Sequence, residues 1–152
     1  MYSKFEIRLK KVKTLRGNFE ISTPENAYSF AMDVIKMDEF AEERVYLLCL
    51  DVRNSVIGFS EIAKGTTIHA ELSPREIYMA AMMCNACSVV LLHNHPSGKA
   101  TPSKEDEKST KKIRKAGEVL QIKLMDHIII GDGEYYSFAE SWNEEKQKKK
   151  NK

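Results

Sequence analysis

Apolar positions along the chain change their period several times, and each change marks an element. Residues 4 to 12 alternate, with Phe5, Ile7 and Leu9 on one face and Lys4, Glu6, Arg8 and Lys10 on the other. That pattern belongs to a half-solvated strand, and its charges suit a sheet edge. The period then lengthens. Thr23 is a good N-cap and Pro24 suits the first helical position. Ala27, Phe30, Ala31, Val34 and Ile35 recur at helical spacing, which predicts a helix ending near Met37. Val45 to Val52 is an almost unbroken apolar run, as expected of a strand covered on both faces. Arg53-Asn54 turns it into a second strand, Ser55 to Ala63, forming a hairpin. Gly65 allows a bend before a short extended piece through Ile68.

The second half repeats the alternation of helix and strand. Ser73-Pro74-Arg75-Glu76 reads as a capping box, opening a helix with Ile77, Ala80, Ala81 and Cys84 inward. Ser88 to Leu92 is a buried strand, followed by a polar loop, His93 to Pro102, with Pro96-Ser97-Gly98 as its turn. Ser103 caps a third helix, expected to face Ile113, Ala116, Val119 and Leu120 inward. Gly117 in that helix costs about 1 kcal/mol relative to Ala, which points to close packing there. Residues 122 to 130 form a strand, and Asp132-Gly133 turns the chain into a last one at Tyr135 to Phe138. From Asn143 the Lys- and Glu-rich sequence reads as a frayed tail. The order β-α-β-β-α-β-α-β-β predicts an α/β fold, a mixed sheet flanked by helices. The chain divides into an extension over 1–22 with the edge strand, a domain over 23–142 and a Lys-rich tail over 143–152.

Composition narrows the class. At 152 residues the chain is one domain that can bury an adequate core without disulfides or a structural metal. No apolar run approaches the roughly 18 to 20 residues of a membrane span. The N-terminus has no signal-peptide stretch and three Cys is an odd, sparse number, so the expected compartment is the reducing cytoplasm. Lys plus Arg is 24 against 22 for Asp plus Glu, and a net charge of +2 does not imply a nucleic-acid partner. There is no P-loop, dinucleotide fingerprint or internal repeat.

The chemistry-bearing signal is His93-Asn94-His95-Pro96 followed by Ser103 and Asp106. Two His separated by one residue, just after a buried strand, can aim both imidazoles at one point. A carboxylate in the first turn of the next helix can close the same site. Two nitrogens and one oxygen leave a fourth tetrahedral position open, as in catalytic zinc, where bound water reaches a pKa near 7. Ser103-x-x-Asp106 is equally an ordinary capping box, and the two roles are compatible. Cys84 and Cys87 have ligand spacing but no second pair, and read as two buried small hydrophobes. A zinc deaminase would need His-x-Glu before Pro-Cys-x-x-Cys, and that order is absent. Asp126-His127 lies inside an apolar strand and is expected to make structural hydrogen bonds. His69 has no nearby partner and is assigned nothing, and the basic tail reads as solvated.

His93-x-His95-Pro96, Ser103 and Asp106 at these spacings resemble the JAMM signature of the MPN (JAB) metalloproteases. Ser73 to Glu76, Asn85-Ala86, Ser97-Gly98, Asp126-His127 and Tyr135 to Ala139 are similar to the RadC branch, over about residues 23 to 142. The resemblance implies a cytidine deaminase-like α/β fold, a Zn2+ cofactor held by His93, His95 and Asp106, and Ser103 as oxyanion donor. It also implies a Glu base just before the first core strand. Glu43 is taken for that role, with adjacent Glu42 as an alternative register and Glu76 as a rival already occupied in its cap. The activity expected is hydrolysis of an amide or isopeptide bond in a peptide or protein substrate. The competing expectation is a non-hydrolytic module accompanying DNA repair or mobile-element proteins. Full-length members of the branch carry a DNA-binding helix-hairpin-helix region that about 22 N-terminal residues cannot supply, so DNA is not an expected partner, and no membrane is.

Overall fold

The computed structural model describes residues 3–4, 10–11, 17–65 and 72–150. The strand expected over residues 4 to 12 lies largely outside them, as do His69 and the piece leading to Ile68. Helix α1 (Pro24–Phe30) starts at Thr23, whose side chain accepts from Asn26 N, and continues as a π-helical turn, Ala31–Ile35. Lys36 ends it in the left-handed region at φ 64°, followed by a 3-10 turn, Met37–Glu39. Strands β1 (Arg44–Leu50) and β2 (Val56–Lys64) form the expected hairpin. Asp51 Oδ1 closes the turn by accepting from the backbone N–H groups of Arg53 and Ser55.

Helix α2 (Pro74–Met83) leads to β3 (Ser88–Asn94), and helix α3 (Lys104–Leu120) leads to β4 (Lys123–Ile130). Strand β5 (Tyr135–Ser137) runs into helix α4 (Phe138–Lys150). The five strands lie in the order β2-β1-β3-β4-β5, with β3 and β4 parallel and the other pairs antiparallel. The fold is therefore an α/β mixed sheet flanked by helices. Side-chain alternation splits the core in two. Val45, Leu47, Val89 and Leu91 pack with Ile77, Tyr78 and Ile113 of α2 and α3, while Leu48, Leu50, Val90 and Leu92 pack with Phe30, Ala31 and Met37.

Three expectations change. In α3 the buried positions are Asp106, Thr110, Ile113 and Gly117, whereas Val119 is 83% exposed and Leu120 43% exposed. The helix is rotated because Tyr78 passes beneath Gly117. Tyr78 Oη donates to the Ile113 carbonyl at 2.9 Å, and a Cβ on Gly117 would collide with that hydroxyl and sit 2.5 Å from the Ile122 carbonyl oxygen. The residues after Asn143 are helical to Lys150 rather than frayed. Asp126 and Ser137 accept from the first N–H groups of α4, Trp142 stacks under Arg114 at 4.2 Å, and lysines at the last turn oppose the helix dipole. Finally, Cys84 is half-buried and Cys87 exposed, so only Cys49 is a buried thiol.

Candidate metal centre

Sheet register brings the expected residues to one end of β1 and β3. Val45 pairs with His93 in an antiparallel ladder, so the residues entering β1 lie beside those leaving β3. Asn94, between the two histidines, points to the other side and clamps the backbone entering β1. Its Oδ1 accepts from Arg44 N at 2.8 Å and its Nδ2 donates to the Glu42 carbonyl at 3.1 Å. Glu43 is thereby held between two anchored residues. Its Oε1 lies 2.9 Å from His93 Nε2 and 3.7 Å from His95 Nε2. Glu42 instead pairs with Lys64 at 3.5 Å, and Glu76 lies 4.0 Å from Arg75. Of the three carboxylates weighed from sequence, Glu43 is the one brought to the histidines.

The His95 loop rests on the β4–β5 turn. His95 N donates to the Ile130 carbonyl at 2.8 Å, and Ala100 N donates to Glu134 Oε1 at 2.9 Å. Gly131 permits that approach, since a Cβ there would lie 2.5 Å from the Gly98 carbonyl oxygen. The Lys99 carbonyl can only accept, so His95 Nδ1 donates to it at 3.0 Å and Nε2 faces the site as a lone pair.

Asp106 closes the site from the first turn of α3, fully buried. The capping box is formed in both directions: Ser103 Oγ accepts from Asp106 N at 3.0 Å, while Asp106 Oδ2 accepts from Ser103 N at 2.8 Å. Ser103 Oγ donates its one proton to the same Oδ2 at 2.7 Å. Asp106 Oδ2 is 3.5 Å from His95 Nε2, and Oδ1 is 3.4 Å from His93 Nδ1. Burial would raise the Asp106 carboxyl, but His95, Ser103 and His93 hold it well below the usual carboxylate range. The Asp106 carboxylate beside Nε2 favours the protonated form of His95 and so raises that ring, with burial opposing.

These atoms fit a cation. One donor atom each from Glu43, His93 and His95 falls within 4.8 Å of the others. Asp106 approaches the two imidazoles through different oxygens, Oδ1 at 3.4 Å from His93 Nδ1 and Oδ2 at 3.5 Å from His95 Nε2. His93 Nδ1 and Asp106 Oδ1 are buried without a hydrogen-bond partner. The spacing criterion thus picks out Glu43, where the sequence expectation made Asp106 the third ligand and Glu43 the base.

Asp126 behaves as expected structurally, accepting from Ser137 Oγ, His127 N and Ala139 N. Burial raises its carboxyl to about 6 against those bonds. Sequence reasoning missed Asn94, Thr110 and Glu134. Asn94 carried a faint signal, a polar residue on a strand end between two candidate ligands. The other two carried none.

An α/β domain with two imidazoles and two carboxylates converging at the end of its central strand defines a class of metal-competent pocket. The chain belongs to the RadC-like JAB domain family, whose family model matches residues 21–144. A UPF0758 protein of Caldanaerobacter subterraneus is 39% identical over 129 residues, covering 85% of this chain and 54% of the relative. One from Clostridium beijerinckii is 35% identical over 133 residues, covering 88% and 57%. One from Thermotoga maritima is 39% identical over 113 residues, covering 70% and 51%. The chain spans about half the length of these relatives. Among the described residues no helix is long and apolar enough to cross a membrane.

Proposed function

We propose that this chain is a zinc-dependent hydrolase cleaving an amide or isopeptide bond in a peptide or protein substrate. The observation that carries this reading is the contrast between its two carboxylates. Asp106 is fully buried, held anionic and pinned by Ser103, which suits a metal ligand beside His93 and His95. The Glu43 side chain is 30% exposed, which suits a base that must exchange its proton. A zinc ion held there would supply a Lewis acid that makes water nucleophilic at neutral pH. Glu43 takes a proton from the attacking water as its oxygen bonds to the carbonyl carbon. It delivers that proton to the leaving nitrogen as the C–N bond breaks. Ser103 Oγ–H, donated to Asp106 here, turns to the developing oxyanion. Three free thiols suit a reducing compartment such as the cytoplasm.

The test is elemental analysis of protein purified without chelator, together with a cleavage screen over peptide and isopeptide libraries. Wild type should carry one zinc per chain. Asp106→Asn and His95→Ala should lose it, and cleavage should stop on chelation and return with zinc. A zinc-loaded Asp106→Asn variant would refute the ligand set. Zinc binding without cleavage of any library member would favour the non-hydrolytic module.

A further inference from the structure

Beneath the candidate ligands lies an imidazole that the proposed reaction does not use. His127, on β4, is fully buried. Its ring is parallel to that of His93, with centroids 5.8 Å apart and planes at 10°, and to that of Phe138, at 5.1 Å and 17°. Thr110 Oγ1 gives its only proton to the Asp106 carbonyl at 2.6 Å. The 2.7 Å contact between Thr110 Oγ1 and His127 Nδ1 is therefore donated by the imidazole. His127 Nε2 is left as a buried lone pair with no hydrogen-bond partner. A leucine could occupy this core position without stranding a polar atom, so burial alone does not account for a histidine. What the imidazole adds is a defined plane. One nitrogen is tied to the helical turn that carries Asp106, and the ring face lies along His93.

We propose that His127 is a positioning residue of the metal centre: tied to Thr110 and stacked on His93, it sets the plane of the His93 imidazole relative to Asp106. This rests on the reading of His93 as a metal ligand. Outer partners of this kind commonly change metal affinity by roughly 10- to 100-fold when removed.

The test measures zinc dissociation constants by competition with a chromophoric chelator, and the visible absorption of the cobalt-substituted protein. The variants are His93→Ala, His127→Leu, Thr110→Val and Thr110→Ser, each checked for folding by circular dichroism. His127→Leu should stay folded, bind zinc roughly 10- to 100-fold more weakly and shift the cobalt band. Thr110→Val should move both readouts the same way by less, and Thr110→Ser, which restores the hydroxyl, should match wild type. If His127→Leu does not fold, the Thr110 pair decides by the same criteria. Should His93→Ala abolish binding while the His127 and Thr110 variants keep wild-type affinity and spectrum, the positioning role is wrong and the ligand reading survives. A wild-type chain that binds no zinc overturns both.

Discussion

Glu43 and Glu42 are adjacent, chemically identical and given opposite tasks by the backbone. The Asn94 side chain bonds the backbone on both sides of Glu43, leaving its carboxylate 2.9 Å from His93, while Glu42 reaches outward to Lys64. Glu43→Gln keeps the size and removes the proton acceptor. It should retain zinc and fold while losing roughly two to four orders of magnitude in cleavage rate, whereas Glu42→Gln should be near neutral. Steady-state kinetics on the first substrate found, with zinc content measured alongside, checks this. A zinc-free Glu43→Gln protein would instead make Glu43 a ligand, as its closeness to both histidines allows. At this scale His93, His95, Ser103 and Asp106 were legible because their spacing is local. Asn94 and Thr110 were not, because an ordinary Asn or Thr gains its role only from what the fold sets beside it.

Between elements, the join of β4, β5 and α4 depends on one buried carboxylate. Asp126 accepts from Ser137 on β5 and from Ala139 in the first turn of α4. Burial raises its carboxyl to about 6 from 3.8, so the folded chain holds that proton more tightly than the unfolded chain does. Its contribution to stability is therefore fully present below about pH 4 and is lost as pH rises through 6. Asp126→Asn can keep accepting both backbone N–H groups and removes the titration. Wild-type stability relative to that variant should fall by about 2 kcal/mol between pH 4 and pH 6, measured by urea unfolding at each pH. A flat difference would show that Asp126 titrates alike in the folded and unfolded chain. The expected tail belongs to this scale too. Its lysines and glutamates looked solvated, but the helix that contains them is anchored further back, by Asp126, Ser137 and Trp142.

For the whole molecule, two apolar clusters on opposite faces of one sheet hold the chain together, and the metal-competent residues sit at its end rather than in its middle. Chelation should therefore leave the far-ultraviolet circular dichroism of the folded state intact, and added zinc should raise the melting temperature by mass action. Collapse to an unfolded spectrum on chelation would make the site structural. The sequence by itself determined strands β1 to β5, the hairpin, the helix starts at Thr23, Ser73 and Ser103, and the local spacing of His93, His95, Ser103 and Asp106. Each of these depends on periodicity, capping or turn chemistry within a few residues. Tertiary structure alone decided which face of α3 turns inward, which glutamate meets the histidines, and that α4 persists to Lys150. Those outcomes depend on contacts between residues far apart in the chain, such as Tyr78 with Ile113, Asn94 with Arg44 and Arg114 with Trp142, which no local pattern encodes.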